Sequence, residues 1–152
     1  MTTQWSEGLK TGIEEIDIHH EGLFERIHEL VDAFEQGREI APLRKQIIFF
    51  EGFLVSHFAL EEVLMKKLAY PDYSSHYDEH IQLANNFSRV MNLFEDGEMT
   101  PQLASVAVNY INNWMKSYIS HVNLADRHLT DFLKDRWGGS TCRTKISWQG
   151  LA

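Results

Sequence analysis

Apolar residues recur along the chain at alternating intervals of three and four residues, in four separate stretches. This spacing is that of one face of an α-helix. The first stretch starts at Ile13 and ends at Gly37, a residue type that often terminates helices. The second opens around Pro42, which suits a first helical turn, and ends at Tyr70 and Pro71. The first half of the chain is therefore predicted to form two amphipathic helices.

The third and fourth stretches carry their own start and stop signals. Ser74 is predicted as the N-cap of the third helix, which ends before Gly97. The fourth has Thr100 as N-cap and Pro101 at its first position, and it reaches about Phe132. Its buried face is predicted to contain Leu103, Ala107, Tyr110, Trp114, Ser117, His121 and Leu124.

Alternation of three and four is typical of helices that pack at about +20°, and short connections make neighbouring helices antiparallel. The pattern therefore predicts an all-α fold, an up-down-up-down antiparallel four-helix bundle with an N-terminal arm. We expect the bundle to occupy residues 1–137, and we expect residues 138–152, which have no helical period, to form an irregular C-terminal tail.

Composition fits one compact domain, because the chain has 152 residues, of which 43% are hydrophobic and 24% charged. A net charge of -8 argues against a nucleic-acid partner. There is no apolar run of about eighteen residues and no secretory signal, so no membrane span is expected and the expected location is cytoplasmic. The single cysteine, Cys142, cannot form an internal disulfide.

Histidine or an acidic residue stands at several positions where the helical pattern calls for an apolar one. Burial of such groups is costly unless they are paired or bind a metal. Two pairs, His57 with Glu61 and His76 with His80, are four residues apart, so each pair shares one helical face. The complete set of candidate metal ligands is His20, His57, Glu61, His76, His80, His121 and Asp126.

These candidates should lie at one level of the bundle. They stand near the start of the first and third helices and near the end of the second and fourth, which is the same end of an up-down bundle. His121 and Asp126 are five residues apart, about 140° around an α-helix. We therefore expect Asp126 to reach a metal pair only from the flank.

Five imidazoles and two carboxylates exceed what one tetrahedral zinc ion needs, and no cysteine belongs to the set. Two ions are predicted, and imidazole with carboxylate on facing helices is a usual way to hold a pair of irons. The other polar residues, His19, His28, His128 and Glu62, lie off these faces, and we expect no direct metal role for them.

The order and spacing of these residues resemble the bacterial hemerythrins over roughly residues 4 to 135. The matching motifs are Trp5, Gly12-Ile13, Ile16-Asp17, His20, His57-Phe58 with Glu61-Glu62 and Met65, His76 with His80, and His121 with Asp126. The resemblance implies an asymmetric di-iron centre. One iron would be held by His76, His80 and His121 and the other by His20 and His57, with Glu61, Asp126 and an oxo or hydroxo group bridging both.

The resemblance also implies a function, the reversible binding of dioxygen at an open position of the second iron. The chain would then carry oxygen to an oxygen-consuming recipient and would not be an enzyme. The alternatives are a di-iron oxidase, a peroxidase or a sensor of oxygen or nitric oxide built on the same site. One departure from the family is Ser117, which stands where tryptophan is frequent, and we expect its hydroxyl or the extra space to line the oxygen pocket.

Overall fold

The computed structural model describes residues 4–94 and 97–136, which contain helices and no strand. The predicted tail, residues 138–152, and Cys142 lie outside the described residues. Five α-helices follow one another: α1 (Glu14–Glu35), α2 (Ile40–Lys67), α3 (Tyr73–Ser88), α4 (Pro101–His121) and α5 (Arg127–Arg136). A π-helical turn, Val122–Asp126, joins α4 to α5, so that these three segments form one long helix.

The long helices form a four-helix bundle, as predicted. Helix α1 packs against α2 and α4, and α3 packs against the same two helices, so each helix has two neighbours around a square. Connections of a few residues between α1 and α2 and between α2 and α3 require antiparallel neighbours. In the part of the chain that the structure describes, no helix is both long and apolar enough to span a bilayer.

Helix ends follow the predicted signals except at α3. The Thr100 hydroxyl accepts a hydrogen bond from the Leu103 backbone N–H at 3.1 Å, and Gly37 closes α1 with φ of 68°. The prediction that Ser74 caps α3 is wrong. The backbone N–H of His76 already donates to the carbonyl oxygen of Asp72 at 3.1 Å, so the helical hydrogen-bond register starts two residues earlier.

The predicted buried face of α4 is wrong in part. Ser117 and Leu124 are exposed and Tyr110 is only half-buried. The residues that fill the core instead are Ala104, Ile111, Met115, Tyr118 and Val122. Ala107, Trp114 and His121 fit both the predicted face and the observed one, so the spacing alone does not distinguish the two faces. At the position where they differ most, Tyr118 is buried and Ser117 is exposed.

The N-terminal arm is fixed to the start of α1 by one carboxylate. Asp17 accepts hydrogen bonds from the backbone N–H and the hydroxyl of Thr11, both at 2.7 Å, and from the Gly12 N–H at 3.1 Å. Gly12 has φ of 90°, a conformation that favours glycine. The arm holds the Trp5 ring 6.2 Å from that of His20, one of the candidate ligands.

Among the described residues, two separate apolar clusters make up the core. The larger one, here called the main core, fills most of the bundle and includes Phe24, Phe34, Phe50, Phe87, Trp114 and Tyr118. The smaller one, here called the end cluster, consists of Ile13, Ile16, Leu60, Leu64, Met65, Tyr70, Leu129 and Leu133. Along α1, the chain passes from Ile16 of the end cluster to Leu23 of the main core through His20. The polar candidates thus form a layer between the clusters.

Candidate metal centre

The structure brings all seven predicted residues together in the polar layer, each at most 3% exposed. Four helices contribute to it, and the last member ends the π-helical turn. Their ligand atoms form two groups, in each of which all atoms lie within 4.8 Å of one another. One group comprises Glu61, His76, His80, His121 and Asp126, and the other comprises His20, His57, Glu61 and Asp126.

Glu61 divides its two oxygens between the groups. Its Oε1 lies 3.2 Å from His57 Nε2 and 3.8 Å from His20 Nε2. Its Oε2 lies 3.2 Å from His76 Nε2 and 3.1 Å from His80 Nε2. One carboxylate therefore faces both histidine sets, with a different oxygen toward each.

Asp126 repeats this arrangement from the fourth helix. Its Oδ2 lies 2.9 Å from His20 Nε2, on the side with two histidines. Its Oδ1 lies 3.1 Å from His76 Nε2 and 2.9 Å from His121 Nε2, on the side with three. Both carboxylates span the cluster, which is the arrangement that two neighbouring cations with shared carboxylate ligands require.

The expectation that Asp126 approaches from the flank is wrong, and the π-helical turn explains why. The turn Val122–Asp126 starts directly after His121. In a π-helix the hydrogen bond runs to the fifth residue rather than the fourth, so residues five apart come close to the same face. His121 and Asp126 therefore point into the cluster side by side. Such turns are frequent at functional sites.

Buried atoms without hydrogen-bond partners test whether the cluster fits a cation. Eight of the cluster's atoms are inaccessible to water and lack a partner: both ring nitrogens of His20, His57 Nε2, Glu61 Oε1, His76 Nδ1, His121 Nε2 and both oxygens of Asp126. A buried polar group without a partner costs about 1–3 kcal/mol. Several of these atoms lie within 3.2 Å of a nitrogen or oxygen but are not aligned for a hydrogen bond. Cations in the cluster would satisfy the six of these atoms that face its interior, which are all except Nδ1 of His20 and of His76, so the residues fit a metal centre.

The electrostatics of the cluster also favour positive charge. Burial opposes protonation of His20, but the nearby negative charges of Asp126 and Glu61 outweigh it and raise its pKa to about 9. The same balance raises the pKa of His76 to about 10 and also raises that of His121. Despite burial, the histidines hold the pKa values of Glu61 and Asp126 well below their usual range. The two buried carboxylates thus favour protons on the neighbouring imidazoles, or cations in place of those protons.

The chain is similar in sequence to known proteins. Residues 11–133 match the family model described as hemerythrin HHE cation binding domain. The chain belongs to the hemerythrin family. It is 31% identical over 141 residues to a bacteriohemerythrin of Pseudomonas aeruginosa (strain UCBPP-PA14), which is 89% of each chain.

Two further relatives extend the family resemblance. A bacteriohemerythrin of Methylococcus capsulatus is 25% identical over 113 residues, 74% of this chain and 84% of the relative. A myohemerythrin of Theromyzon tessulatum is 34% identical over 77 residues, 51% of this chain and 58% of the relative. No solved structure matches the chain. The resemblance to hemerythrins predicted from the motifs is confirmed.

Two acidic residues outside the cluster orient histidines of this hemerythrin-family site. Glu62 Oε1 lies 2.9 Å from His80 Nδ1, and Glu79 Oε2 lies 2.6 Å from His121 Nδ1. A carboxylate on Nδ1–H leaves the Nε2 lone pair directed into the cluster. The sequence pattern predicts no direct metal role for Glu62 and does not single out Glu79. Each directly adjoins a candidate ligand in sequence, Glu61 and His80, which is the signal that could have identified them.

The remaining histidines lie outside the cluster. His19 is half-buried, and its Nδ1 lies 3.3 Å from His57 Nδ1, so it contacts a candidate ligand from behind. Burial lowers the pKa of His19. Neither His28 nor His128 belongs to the two groups of candidate ligand atoms, and His128 is exposed.

Aromatic rings form the walls around the cluster. The Phe58 ring stacks on that of His80 with centroids 4.0 Å apart and planes 9° apart. On the opposite side, Tyr118 meets the His20 ring edge-on at 6.3 Å, and Trp5 lies nearby. These rings fix the imidazole planes and separate the cluster from bulk water.

The expectation that Ser117 lines the pocket is wrong. Ser117 is exposed and borders an open surface cavity of about 450 Å³, together with Glu79 and the outer side of His121. Tyr118, the next residue, faces the interior of the bundle instead. The position of α4 that adjoins the two-histidine side of the cluster is therefore a tyrosine rather than a serine.

Proposed function

We propose that the chain binds two iron ions in this cluster and takes up dioxygen reversibly. The observation that carries the proposal is the division of Glu61 and Asp126, each of which presents one oxygen to each histidine set. A single ion in one histidine set would leave the other histidine set, and the carboxylate oxygens that face it, without a partner. Membership of the hemerythrin family supports the same interpretation.

Each side chain has a place in the proposed centre. His76, His80 and His121 would hold one ion and His20 and His57 the other, and Glu61 and Asp126, which belong to both groups of ligand atoms, would contribute to both. Imidazole and carboxylate without thiolate suit iron in a helical bundle. The group with His20 and His57 has one imidazole fewer than the other, so an ion there would leave room for a small ligand from solution. When bound, two irons supply the pair of electrons that reversible oxygen uptake requires.

The surrounding residues favour a carrier over an oxidase. Neutral imidazoles stabilise the oxidised metal less than a carboxylate-rich shell does, so the reduced state remains accessible. Trp5, Phe24 and Tyr118 cover the two-histidine side and exclude water that would drive irreversible oxidation. We expect delivery of oxygen to a recipient that consumes it.

Metal analysis and optical spectra under controlled oxygen test this function. The purified protein should contain two irons per chain. After anaerobic reduction, exposure to air should produce a charge-transfer band that vanishes when oxygen is removed and returns over repeated cycles.

Other outcomes would point elsewhere. About one zinc and no iron, in protein from cells supplied with both metals, would contradict the di-iron centre. A single turnover that ends in fully oxidised protein and free hydrogen peroxide would favour an oxidase or a sensor. Retention of the band through several cycles would exclude an oxidase.

A further inference from the structure

The hydroxyl of Tyr118 is buried without a hydrogen-bond partner. The residue is 1% exposed, and no acceptor or donor in the described chain engages its oxygen. Buried polar groups are nearly always satisfied, and each exception calls for an explanation. A phenylalanine would fill the same space without this cost, so the hydroxyl calls for a partner from outside the chain.

The position of the ring connects this hydroxyl with the metal centre. Tyr118 meets His20 edge-on with centroids 6.3 Å apart and packs 6.1 Å from Phe24. Trp114 stacks on its other side at 5.3 Å, with planes 5° apart. The ring is therefore held on three sides, next to the histidine set with only two members, where the proposed centre has room for a ligand.

The unpartnered hydroxyl of Tyr118 is free to donate a hydrogen bond to an acceptor from outside the chain. Burial is the main cause that raises the pKa of Tyr118 well above its usual value, and the carboxylates of Asp126 and Glu61 raise it further. Both carboxylates are therefore within electrostatic reach, yet neither accepts a hydrogen bond from Tyr118. The hydroxyl keeps its proton in a dry surrounding, where a hydrogen bond to a charged acceptor is strong.

We propose that Tyr118 donates a hydrogen bond to the small ligand, dioxygen or a small anion such as azide, that binds on the His20 and His57 side of the centre. The inference rests on the proposed function, because it requires metal in the cluster. Tyr118 would then raise ligand affinity and select ligands that have a second atom, besides the one bound to the metal, that accepts a hydrogen bond.

Azide titration of the iron-loaded protein tests the role of Tyr118. The variant Tyr118→Phe should keep two irons per chain and bind azide roughly tenfold to a hundredfold more weakly, the range for loss of one hydrogen bond to a charged group. The matched control is Tyr110→Phe in the same helix, since the Tyr110 hydroxyl already donates to the carbonyl oxygen of Asn86. This control should bind azide as the unchanged protein does.

Two further readouts separate a ligand contact from a structural role. Without metal, Tyr118→Phe should melt at the same temperature or higher, because it removes an unsatisfied hydroxyl. Azide should change the ultraviolet difference spectrum of tyrosine in the unchanged protein and not in Tyr118→Phe.

The outcomes distinguish this inference from the function on which it rests. Equal azide affinity of Tyr118→Phe and the unchanged protein, at equal iron content, overturns the role of Tyr118 and leaves the di-iron centre in place. If the unchanged protein takes up no iron or no azide, the proposed function fails, and the inference fails with it.

Discussion

Glu61 and Asp126 hold a different position from the histidines, because each faces both halves of the cluster. Loss of one histidine removes a contact on one side, whereas loss of a carboxylate charge affects both. Glu61→Gln keeps the size of the side chain but removes the charge, and it should lower the iron content to less than one per chain. Metal analysis with circular dichroism measures this, and exposed His128→Ala should retain two irons. Two irons in folded Glu61→Gln would contradict a bridging role.

The raised pKa values of His20 and His76 predict how the stability of the metal-free protein changes with pH. Their values of about 9 and about 10 lie above the ordinary 6.5, so folding favours their protonated forms. The resulting contribution to the free energy of unfolding is fully present below pH 6.5 and is lost as the pH rises through 9 to 10. The melting temperature of metal-free protein should therefore fall between pH 7 and pH 10, as calorimetry would detect. A melting temperature that is constant over this range would contradict the charge balance.

At the scale of single residues, the sequence predicts the candidate ligands on the buried helical faces but not the residues outside those faces that contact them. His57 and Glu61 are recognisable because they interrupt a regular apolar face. Glu79 and Glu62 lie outside such a face, and their contacts depend on the rotation of neighbouring helices. That the Tyr118 hydroxyl lacks a hydrogen-bond partner can be recognised only once the positions of all its neighbours are known.

At the scale of helices, the π-helical turn is the element that the pattern could not reveal. The spacing of His121 and Asp126 was interpreted with α-helical geometry, which separates them around the helix. One extra residue in the turn is absorbed by a change of hydrogen-bond register, and the apolar face resumes in α5 with Leu129 and Leu133. The spacing of hydrophobic residues predicts which side chains are buried, but it does not predict to which carbonyl oxygen each backbone N–H donates its hydrogen bond.

Deletion of one residue inside this turn should be tolerated. Without exposed Asn123, the turn can become a regular α-helical one, in which His121 and Asp126, then four apart, still share a face. The variant should keep two irons and a melting temperature within about 4 °C of the unchanged protein, a change on the order of 1 kcal/mol. The readouts are iron content and thermal unfolding.

A matched deletion within α4 gives the opposite expectation. Asn113 is also exposed, but its removal rotates the first part of α4 by about 100° against the rest. Ile111 and Ala107 then leave the main core, and unfolding should occur more than roughly 10 °C lower. If both deletions behave alike, the π-helical turn does not set the position of Asp126.

At the scale of the whole molecule, the polar layer divides the core, and this predicts where the metal-free protein loosens. Bound cations would join the main core to the end cluster, and without them several buried atoms between the two have no partner. Hydrogen exchange should quicken in α5 and the end of α2 on metal removal, while the half of α2 around Phe50 stays protected. Equal exchange and equal melting temperatures with and without metal would contradict this.

The bundle itself was predictable because it depends on repeated features. Four stretches with the same spacing, separated by Gly37, Pro71 and Gly97, leave few ways to pack. Thr100 and Pro101 place the start of α4 correctly for local reasons. The face of α4 was harder, because two adjacent lines of apolar residues fit the same spacing, and only contact with α1 and α3 decides between them.

The order of the cluster residues along the chain determines when the centre can close during biosynthesis. Five of the seven lie in α1 to α3, but His121 and Asp126 come last. A nascent chain that lacks them has one of the two carboxylates and four of the five imidazoles, so it would hold iron weakly and leave it open to water. Firm loading would therefore require the fourth helix, which carries His121 and Asp126 at its end, to dock onto the other three.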